Sequence, residues 1–148
     1  MYKNNFYCSP IRVIGEQSKV QRSSIEKIYE KMIRESDVSD VHIAPHTLRV
    51  AAIFSIMTRL KDPKKGDIDL VKKMRLYDGE NVEGFNSADI NELKKEYQDE
   101  GKSGIDPRYV INRISSTIIR KENPSINALD VLMSLKAGLD QHPSITNE

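Results

Sequence analysis

Apolar residues recur at intervals of three and four positions through most of this chain, which is the spacing of one face of an α-helix. Six segments show this pattern, four of them strongly, and polar loops with glycine or proline separate them. The chain is therefore predicted to be all-α, a compact bundle of about six helices. The predicted helices cover residues 23–36, 46–61, 67–77, 87–98, 107–121 and the stretch after 124.

Segment 46–61 has the widest apolar surface of the six. Pro45 disfavours helix just before it, and Asp62 and Pro63 close it. A helix that is apolar over most of its circumference belongs in the middle of a bundle, so we expect this helix to be the most buried. Its apolar residues are Leu48, Ala51, Ala52, Ile53, Phe54, Ile56, Met57 and Leu60.

The clearest helix start lies within residues 100–121. Gly101 and Gly104 allow a sharp turn, Asp106 is a good N-cap, and Pro107 suits the first helical position. The residues after this start are predicted to form a buried face: Tyr109, Val110, Ile111, Ile114, Ile118 and Ile119.

Arg108 does not fit the preference of a helix start, because a cation in the first turn opposes the helix dipole. Two interpretations follow. Arg108 is a surface residue, paired with Asp106 or Glu100, or else it binds an anion together with the first-turn amides. A phosphate would suit both kinds of donor. The spacing alone favours the surface interpretation.

The remaining helices follow the same logic. The first is predicted to bury Ile25, Ile28, Tyr29, Met32 and Ile33, and the last to bury Ile126, Leu129, Leu132, Met133 and Leu135. The predicted capping residues are Ser23 or Ser24, Asp67, Ser87, and Ser125 or Asn127.

A basic segment, residues 61–75, holds six lysines and arginines interleaved with aspartates. We interpret it as a solvated helix face, in which Lys73 pairs with Asp69 four residues earlier. The opposite side would bury Ile68, Val71 and Met74. A nucleic-acid surface is a distant alternative, because no aromatic residues interleave with the segment and the net charge is only +1.

Composition limits the class of protein. The 148 residues are 38% hydrophobic and 30% charged, enough for one domain with a lean core. The single cysteine, Cys8, excludes an intramolecular disulfide and fits a reducing compartment. No apolar run approaches a membrane span, and the first thirteen residues lack the apolar core of a signal peptide. A cytoplasmic location is therefore expected.

The motifs of catalysis are missing from the sequence. Gly101-Lys102-Ser103 resembles the end of a P-loop, but the glycine required five positions before Gly101 is Glu96. Neither the kinase motifs nor a hydrolase triad is present. His42 and His46 are separated by Pro45 and have no cysteine or carboxylate cluster near them, so a metal site is rejected. No catalytic residue and no metal ligand is predicted.

Four blocks of the sequence resemble the PrkA family of bacterial proteins, known as serine protein kinases with an AAA+ module. The blocks are HIAPHTLRVAAIFSIMTRL, DIDLVKKMRLYDGE, GIDPRYVINRISSTIIRK and LDVLMSLKAGLDQHPSI. The resemblance runs from about residue 25 to the C-terminus. Residues 1–24 do not carry the family pattern and are expected to be atypical and poorly ordered. This departure, together with a family pattern that continues beyond residue 148, predicts a fragment, truncated or frameshifted, that covers the helical lid region of the AAA+ module over 25–148.

The resemblance also implies roles for the helix start. GIDPR is similar to the second sensor motif of AAA+ lids, where an arginine reaches the γ-phosphate of ATP on a separate core domain. Arg108 would be that arginine, with Gly104, Asp106 and Pro107 shaping the helix start. The intact family protein would use ATP and magnesium, and this chain alone is expected to bind neither and to be inactive.

The resemblance leaves two main functions open. The chain is either the lid portion of a PrkA-type ATPase and kinase, whose partner is the AAA+ core domain, or a stand-alone helical module that docks onto a full-length relative. A lid that packs on another domain leaves apolar surface exposed, which we expect around residues 46–61 and which would favour self-association. The sequence identifies no protein substrate and does not establish the kinase chemistry.

Overall fold

Six helices and two short strands form the described part of the computed structural model, which covers residues 21–36, 40–64, 68–120 and 125–139. The all-α prediction is confirmed, with a two-residue parallel strand pair as the only sheet among these residues. The elements are α1 (Arg22–Arg34), β1 (His42–Ile43), α2 (Thr47–Met57), α3 (Leu70–Tyr77), α4 (Ser87–Glu96), α5 (Pro107–Arg120), β2 (Ser125–Ile126) and α6 (Ala128–Leu139).

Helix α2 lies at the middle of the bundle and packs against α1, α3, α5 and α6. Ala51, Ala52 and Ile56 are fully buried, and small residues at the first two positions let the neighbouring helices approach closely. The Tyr29 hydroxyl of α1 hydrogen bonds with the Ser55 hydroxyl of α2 inside this core. The central position predicted for this helix is confirmed, although its α-helical part ends at Met57 rather than near residue 61.

The two strands join distant parts of the chain. His42 pairs with Ser125 and Ile43 with Ile126, in parallel. The N–H of Ala44 continues the ladder with a 2.8 Å hydrogen bond to the Ile126 carbonyl. Because β1 leads into α2 and β2 leads into α6, the pair fixes the starts of these two helices side by side.

Helices α3, α4 and α6 each begin at a side-chain cap. Asp69 caps α3, and Asn86 caps α4 in a capping box with Asp89. Asn127 and Asp130 exchange the same two hydrogen bonds at the start of α6, which confirms one of the predicted alternatives. The predicted cap Ser87 is wrong by one residue, and Asp67 lies outside the described residues.

Helix α1 begins one residue before the predicted capping serines. Gln21 is its N-cap residue, without a side-chain cap hydrogen bond. The Ser23 hydroxyl and N–H both donate to the Asp78 carboxylate at the end of α3, and Arg22 forms an ion pair with the same carboxylate. These contacts hold residues 21–24 against the bundle, within the segment expected to be poorly ordered; residues 1–20 lie outside the description.

Helix α5 buries Val110, Ile111 and Ile114 as predicted, whereas α6 buries a different face from the predicted one. Leu129, Leu132 and Met133 of α6 are 64%, 40% and 64% exposed, whereas Val131 and Leu135 are fully buried. Periodicity misled here because α6 has apolar residues on both sides. Ile119 and Val71 were also expected inside and are exposed instead. The exposed large apolar residues of the described chain therefore lie on α3, α5 and α6, not around residues 46–61.

None of the described helices combines the length and the apolar character that a membrane-spanning segment requires.

Candidate functional site

The start of α5 has the local geometry that the sequence predicts. The Asp106 carboxylate accepts a hydrogen bond from the N–H of Arg108 at 2.7 Å, and the Asp106 carbonyl accepts from the N–H of Tyr109 at 3.0 Å. Pro107 is the first helical residue and is buried. Asp106 is therefore the N-cap of α5. The anion-binding role of this helix start stays a prediction.

The turn before α5, residues 101–106, is fastened to the end of α2. The Ile105 N–H donates to the Thr58 hydroxyl at 3.2 Å, and the Arg59 guanidinium donates to the Ile105 carbonyl at 2.7 Å. The Gly101 N–H donates to the Arg59 carbonyl at 3.3 Å. Gly104 has φ = 124°, and its Cα approaches the Thr58 backbone so closely that a side chain has no room. The direction in which α5 begins is thus set by α2.

Arg59 is a buried cation that the sequence analysis did not identify. It is only 7% exposed, and burial lowers the pKa of its guanidinium, while Tyr29 and Asp106 act in the opposite direction. Burial also raises the pKa of Tyr29 to about 12, so this phenol stays protonated at neutral pH. Arg59 is therefore a positive charge inside the bundle, close behind the helix start.

A second buried cluster centres on Glu100, one residue before the turn. Its carboxylate accepts hydrogen bonds from the Lys61 N–H at 2.7 Å, the Tyr77 hydroxyl at 2.9 Å and the Lys73 ammonium. Burial, followed by the Glu100 charge, raises the pKa of Tyr77, so that the phenol acts as a donor. Glu100 was considered as a partner for Arg108, but its side chain is 3% exposed and engaged with these three donors.

Lys73 is the other half of this cluster, and the prediction of a solvated lysine paired with Asp69 is wrong. The side chain is fully buried. Its ammonium also donates to the Lys61 carbonyl at 3.1 Å and lies 3.4 Å from the centre of the Tyr97 ring. A lysine in a mixed charged segment gives no sequence signal for burial. A glutamate between Asp99 and Gly101 gives none either.

Arg108 is on the outside of the helix start. Its residue is exposed, whereas the neighbouring Pro107 and Val110 are buried. The structure brings Gly104, Asp106, Pro107 and Arg108 together at one point of the surface. These groups include no nucleophile, and their chemistry is that of a guanidinium carried on a fixed helix start. Such a group can bind a phosphate presented by another domain.

The described residues contain no group of three or more histidine, cysteine and carboxylate side chains that could hold a metal ion. His42 lies on β1, and His46 precedes α2 with φ = 65°. The two histidines are on different elements, as the proline between them predicts.

Changing Asp106 to alanine is expected to lower the free energy of unfolding by about 1 kcal/mol, because the Arg108 N–H then has no cap acceptor. Urea denaturation of the purified chain measures this change. Ser103→Ala, at an exposed position of the same turn, is the control and should leave stability unchanged. If the two variants unfold at the same urea concentration, Asp106 does not stabilise the helix.

Two family models match the chain. The PrkA AAA domain matches residues 3–67, and the PrkA serine protein kinase C-terminal domain matches residues 71–148. The similarity thus includes most of residues 1–24, which the sequence pattern had not assigned to the family. The comparison with solved structures gives no match.

Two curated relatives, one of high and one of moderate sequence identity, belong to the same family. The ATP-dependent protease PrkA of Bacillus subtilis is 70% identical over 146 residues, which is 99% of this chain and 23% of the relative. The serine/threonine kinase YeaG of Escherichia coli K12 is 36% identical over 97 residues, 60% of this chain and 14% of the relative. The chain spans less than a quarter of the length of the curated relatives it matches.

The boundary between the two matched domains is not a structural boundary. It falls between residues 67 and 71, before α3. Strand β1 belongs to the first match and β2 to the second, yet they pair, and α2 packs against three helices of the second match. The helix start that carries Arg108 belongs to the second match and is held by Thr58 and Arg59 of the first.

Proposed function

Because this chain belongs to the PrkA family, we propose that it is the helical lid portion of a PrkA-type AAA+ protein and that Arg108 senses the γ-phosphate of ATP bound on the AAA+ core. The chain matches less than a quarter of its curated relatives, so ATP and magnesium would be bound by the larger protein. The partner of the site is accordingly the core domain.

One observation supports the proposal above the others. Arg108 is exposed in the first turn of a helix whose start is fixed by the Asp106 cap and by two hydrogen bonds from the end of α2. Because the backbone at this position is already fixed, contact with a phosphate would cost only the side-chain freedom of the guanidinium. The positive end of the helix dipole favours an anion at the same place.

The reaction itself would lie outside this chain. The sequence holds no P-loop, and the carboxylate nearest Arg108, that of Asp106, is engaged as the cap of the helix. The relatives are named as an ATP-dependent protease in one case and a serine/threonine kinase in the other. A nucleotide-sensing lid is compatible with either chemistry. The chain alone is expected to show no ATP turnover, and its single cysteine fits a cytoplasmic protein.

The test uses a full-length family protein that carries this sequence in place of the matched region of the Bacillus relative. Arg108→Ala is expected to lower kcat/KM for ATP roughly 10–100-fold, since a hydrogen bond to a charged group contributes about 1.5–3 kcal/mol. Arg34→Ala, an exposed arginine in the last turn of α1, is the matched control and should leave turnover unchanged.

Melting temperature and circular dichroism of both variants establish that folding is intact, because both side chains are exposed. Equal ATP turnover in the Arg108 variant and the control would rule out the sensing role. A decrease accompanied by loss of folding would place Arg108 in the fold rather than at the nucleotide, which also contradicts the proposal.

A stand-alone docking module is the second candidate function, and the exposed apolar residues of α6 favour it. In that case, the purified chain would bind a family protein from which the matched region had been deleted. Isothermal titration calorimetry of this pair distinguishes the two functions, because a lid that works only within one polypeptide shows no micromolar binding in trans.

A further inference from the structure

Arg59 is buried beside the turn that leads into α5, and it contacts this turn near both ends. The Arg59 carbonyl accepts a 3.3 Å hydrogen bond from the Gly101 N–H, and the Arg59 guanidinium donates to the Ile105 carbonyl at 2.7 Å. Between these two contacts, the Arg59 Cγ lies so close to Gly104 that a Cβ there would be 2.6 Å away. A single residue therefore holds the beginning, the middle and the end of the turn.

The guanidinium of Arg59 is held in the core by an uncharged group. Its hydrogen bond goes to the Ile105 carbonyl, and its buried Nε has no hydrogen-bond partner among the described residues. Removing a cation from water is costly, and an apolar side chain of similar volume would fill the same space without that cost. Stability alone therefore does not account for an arginine at this position.

The charge of Arg59 acts on the start of α5. Burial lowers the pKa of the Arg59 guanidinium, and Tyr29 and Asp106 act against this effect. Because burial raises the pKa of Tyr29 to about 12, the charged group of these two at neutral pH is the Asp106 carboxylate. A phosphate that approaches Arg108 also approaches the Asp106 carboxylate, which repels it. Arg59 adds a positive charge close behind the cap and so offsets this repulsion.

We infer that Arg59 is a positioning residue of the nucleotide-sensing site, which fixes the turn before α5 and offsets the Asp106 charge so that Arg108 can receive a phosphate. Arg59 does not contact the phosphate itself, because its side chain is buried and engaged with the turn. This role rests on the proposed sensing function of Arg108, through which Arg59 acts.

A double-mutant cycle of Arg59→Met and Arg108→Ala, in the full-length family protein that carries this sequence, tests the role. Arg59→Met removes the charge and the donor to Ile105 and keeps an apolar stem of similar length. With Arg108 present, this change is expected to lower kcat/KM for ATP roughly 3–30-fold, the range for residues that act through a neighbour. With Arg108 already replaced by alanine, the same change should lower kcat/KM by no more than about twofold.

A purely structural role of Arg59 gives a different result, because a loss of stability lowers the folded fraction equally with and without Arg108. Rates are therefore measured well below the melting temperature of the least stable variant and are expressed per folded protein. Arg22→Met is the matched control, since the Arg22 side chain is 13% exposed and forms ion pairs with Asp78 and Glu80 where α1 meets the end of α3. It should lower the melting temperature and leave kcat/KM unchanged.

Arg59→Lys keeps the charge and a donor on a shorter side chain, so its kcat/KM should lie between those of the unchanged protein and Arg59→Met. If methionine prevents folding, Arg59→Lys takes its place in the cycle, with the same dependence on Arg108 expected. An equal effect of the Arg59 change with and without Arg108, or no effect in either case, would overturn the positioning role and leave the sensing function in place. No effect of Arg108→Ala would instead contradict the sensing function, and the role of Arg59 with it.

Discussion

Replacing Glu100 by alanine is expected to lower the free energy of unfolding of this chain by about 3–5 kcal/mol, the range found when one partner of a buried ion pair is removed. Lys73 would then stay in the core as a cation without its counter-charge. The side chains of the pair are 0% and 3% exposed, so water cannot replace the lost carboxylate without opening the bundle. The Tyr77 hydroxyl and the Lys61 N–H would lose their acceptor as well.

Removing Lys73 instead is expected to lower the free energy of unfolding by less than removing Glu100 does. In Lys73→Met, the Glu100 carboxylate keeps the Tyr77 hydroxyl and the Lys61 N–H as donors, and methionine fills most of the space of the lysine stem. The double variant Lys73→Met with Glu100→Ala should be more stable than Glu100→Ala alone, because no uncompensated charge is left in the core. A positive coupling of this kind identifies two residues that act as a unit.

Urea denaturation of the four proteins of this double-mutant cycle measures the coupling. The matched control is the exposed pair of Asp99 and Lys102, in which both side chains are more than half exposed, so that Asp99→Ala should leave stability nearly unchanged. If Glu100→Ala is no more damaging than Asp99→Ala, or if the double variant is the least stable of the set, the buried pair does not stabilise the turn.

Local signals explain what the sequence could predict. Helical periodicity identified all six helices, since each must bury a stripe of apolar residues against its neighbours. The start of α5 was predicted residue by residue because an N-cap aspartate followed by proline is determined by backbone chemistry within four residues. Asn127 as the cap of α6 follows from the same rule.

Long-range contacts explain what the sequence could not predict. The cations Arg59 and Lys73 are held in the core by the Ile105 carbonyl and by Glu100. These partners are 46 and 27 residues away along the chain, so the burial could not be predicted from neighbouring residues. No periodic pattern connects such pairs. The pairing of β1 with β2 has the same origin, since two-residue strands are too short to produce an alternating pattern. The error in predicting the buried face of α6 has another cause. Both faces of this helix are apolar, and only the packing decides which of them is buried.

The same long-range contacts make the candidate site a property of both matched domains. Arg108 is on a helix of the C-terminal match, while Thr58 and Arg59, which orient that helix, come from the AAA match. A movement of α2 would therefore be transmitted to the helix start through hydrogen bonds of 2.7 and 3.2 Å rather than through a flexible linker. Variants at this junction should affect stability and nucleotide response together.

Gly104→Ala is the sharpest test of this junction and is expected to lower the free energy of unfolding by roughly 2–5 kcal/mol. The backbone at residue 104 has φ = 124°, a conformation that L-residues rarely adopt. An alanine Cβ would lie 2.6 Å from the Arg59 Cγ and 2.8 Å from the Thr58 carbonyl oxygen. Because the second contact is with backbone, no side-chain rotation relieves it, and the turn must move away from α2.

Gly84→Ala separates the two causes of this loss. Gly84 has φ = 86°, and nothing lies within 4 Å of the position of its Cβ, so its replacement carries only the backbone strain of about 1–2 kcal/mol. The difference between the two variants in urea denaturation is then the steric contribution at Gly104. In the full-length protein, Gly104→Ala should also reduce ATP turnover, because moving the turn displaces Arg108, whereas Gly84→Ala should not. Equal stability loss in the two variants would mean that the end of α2 does not hold the turn. The proposed mechanical link between the two matched domains would then be contradicted.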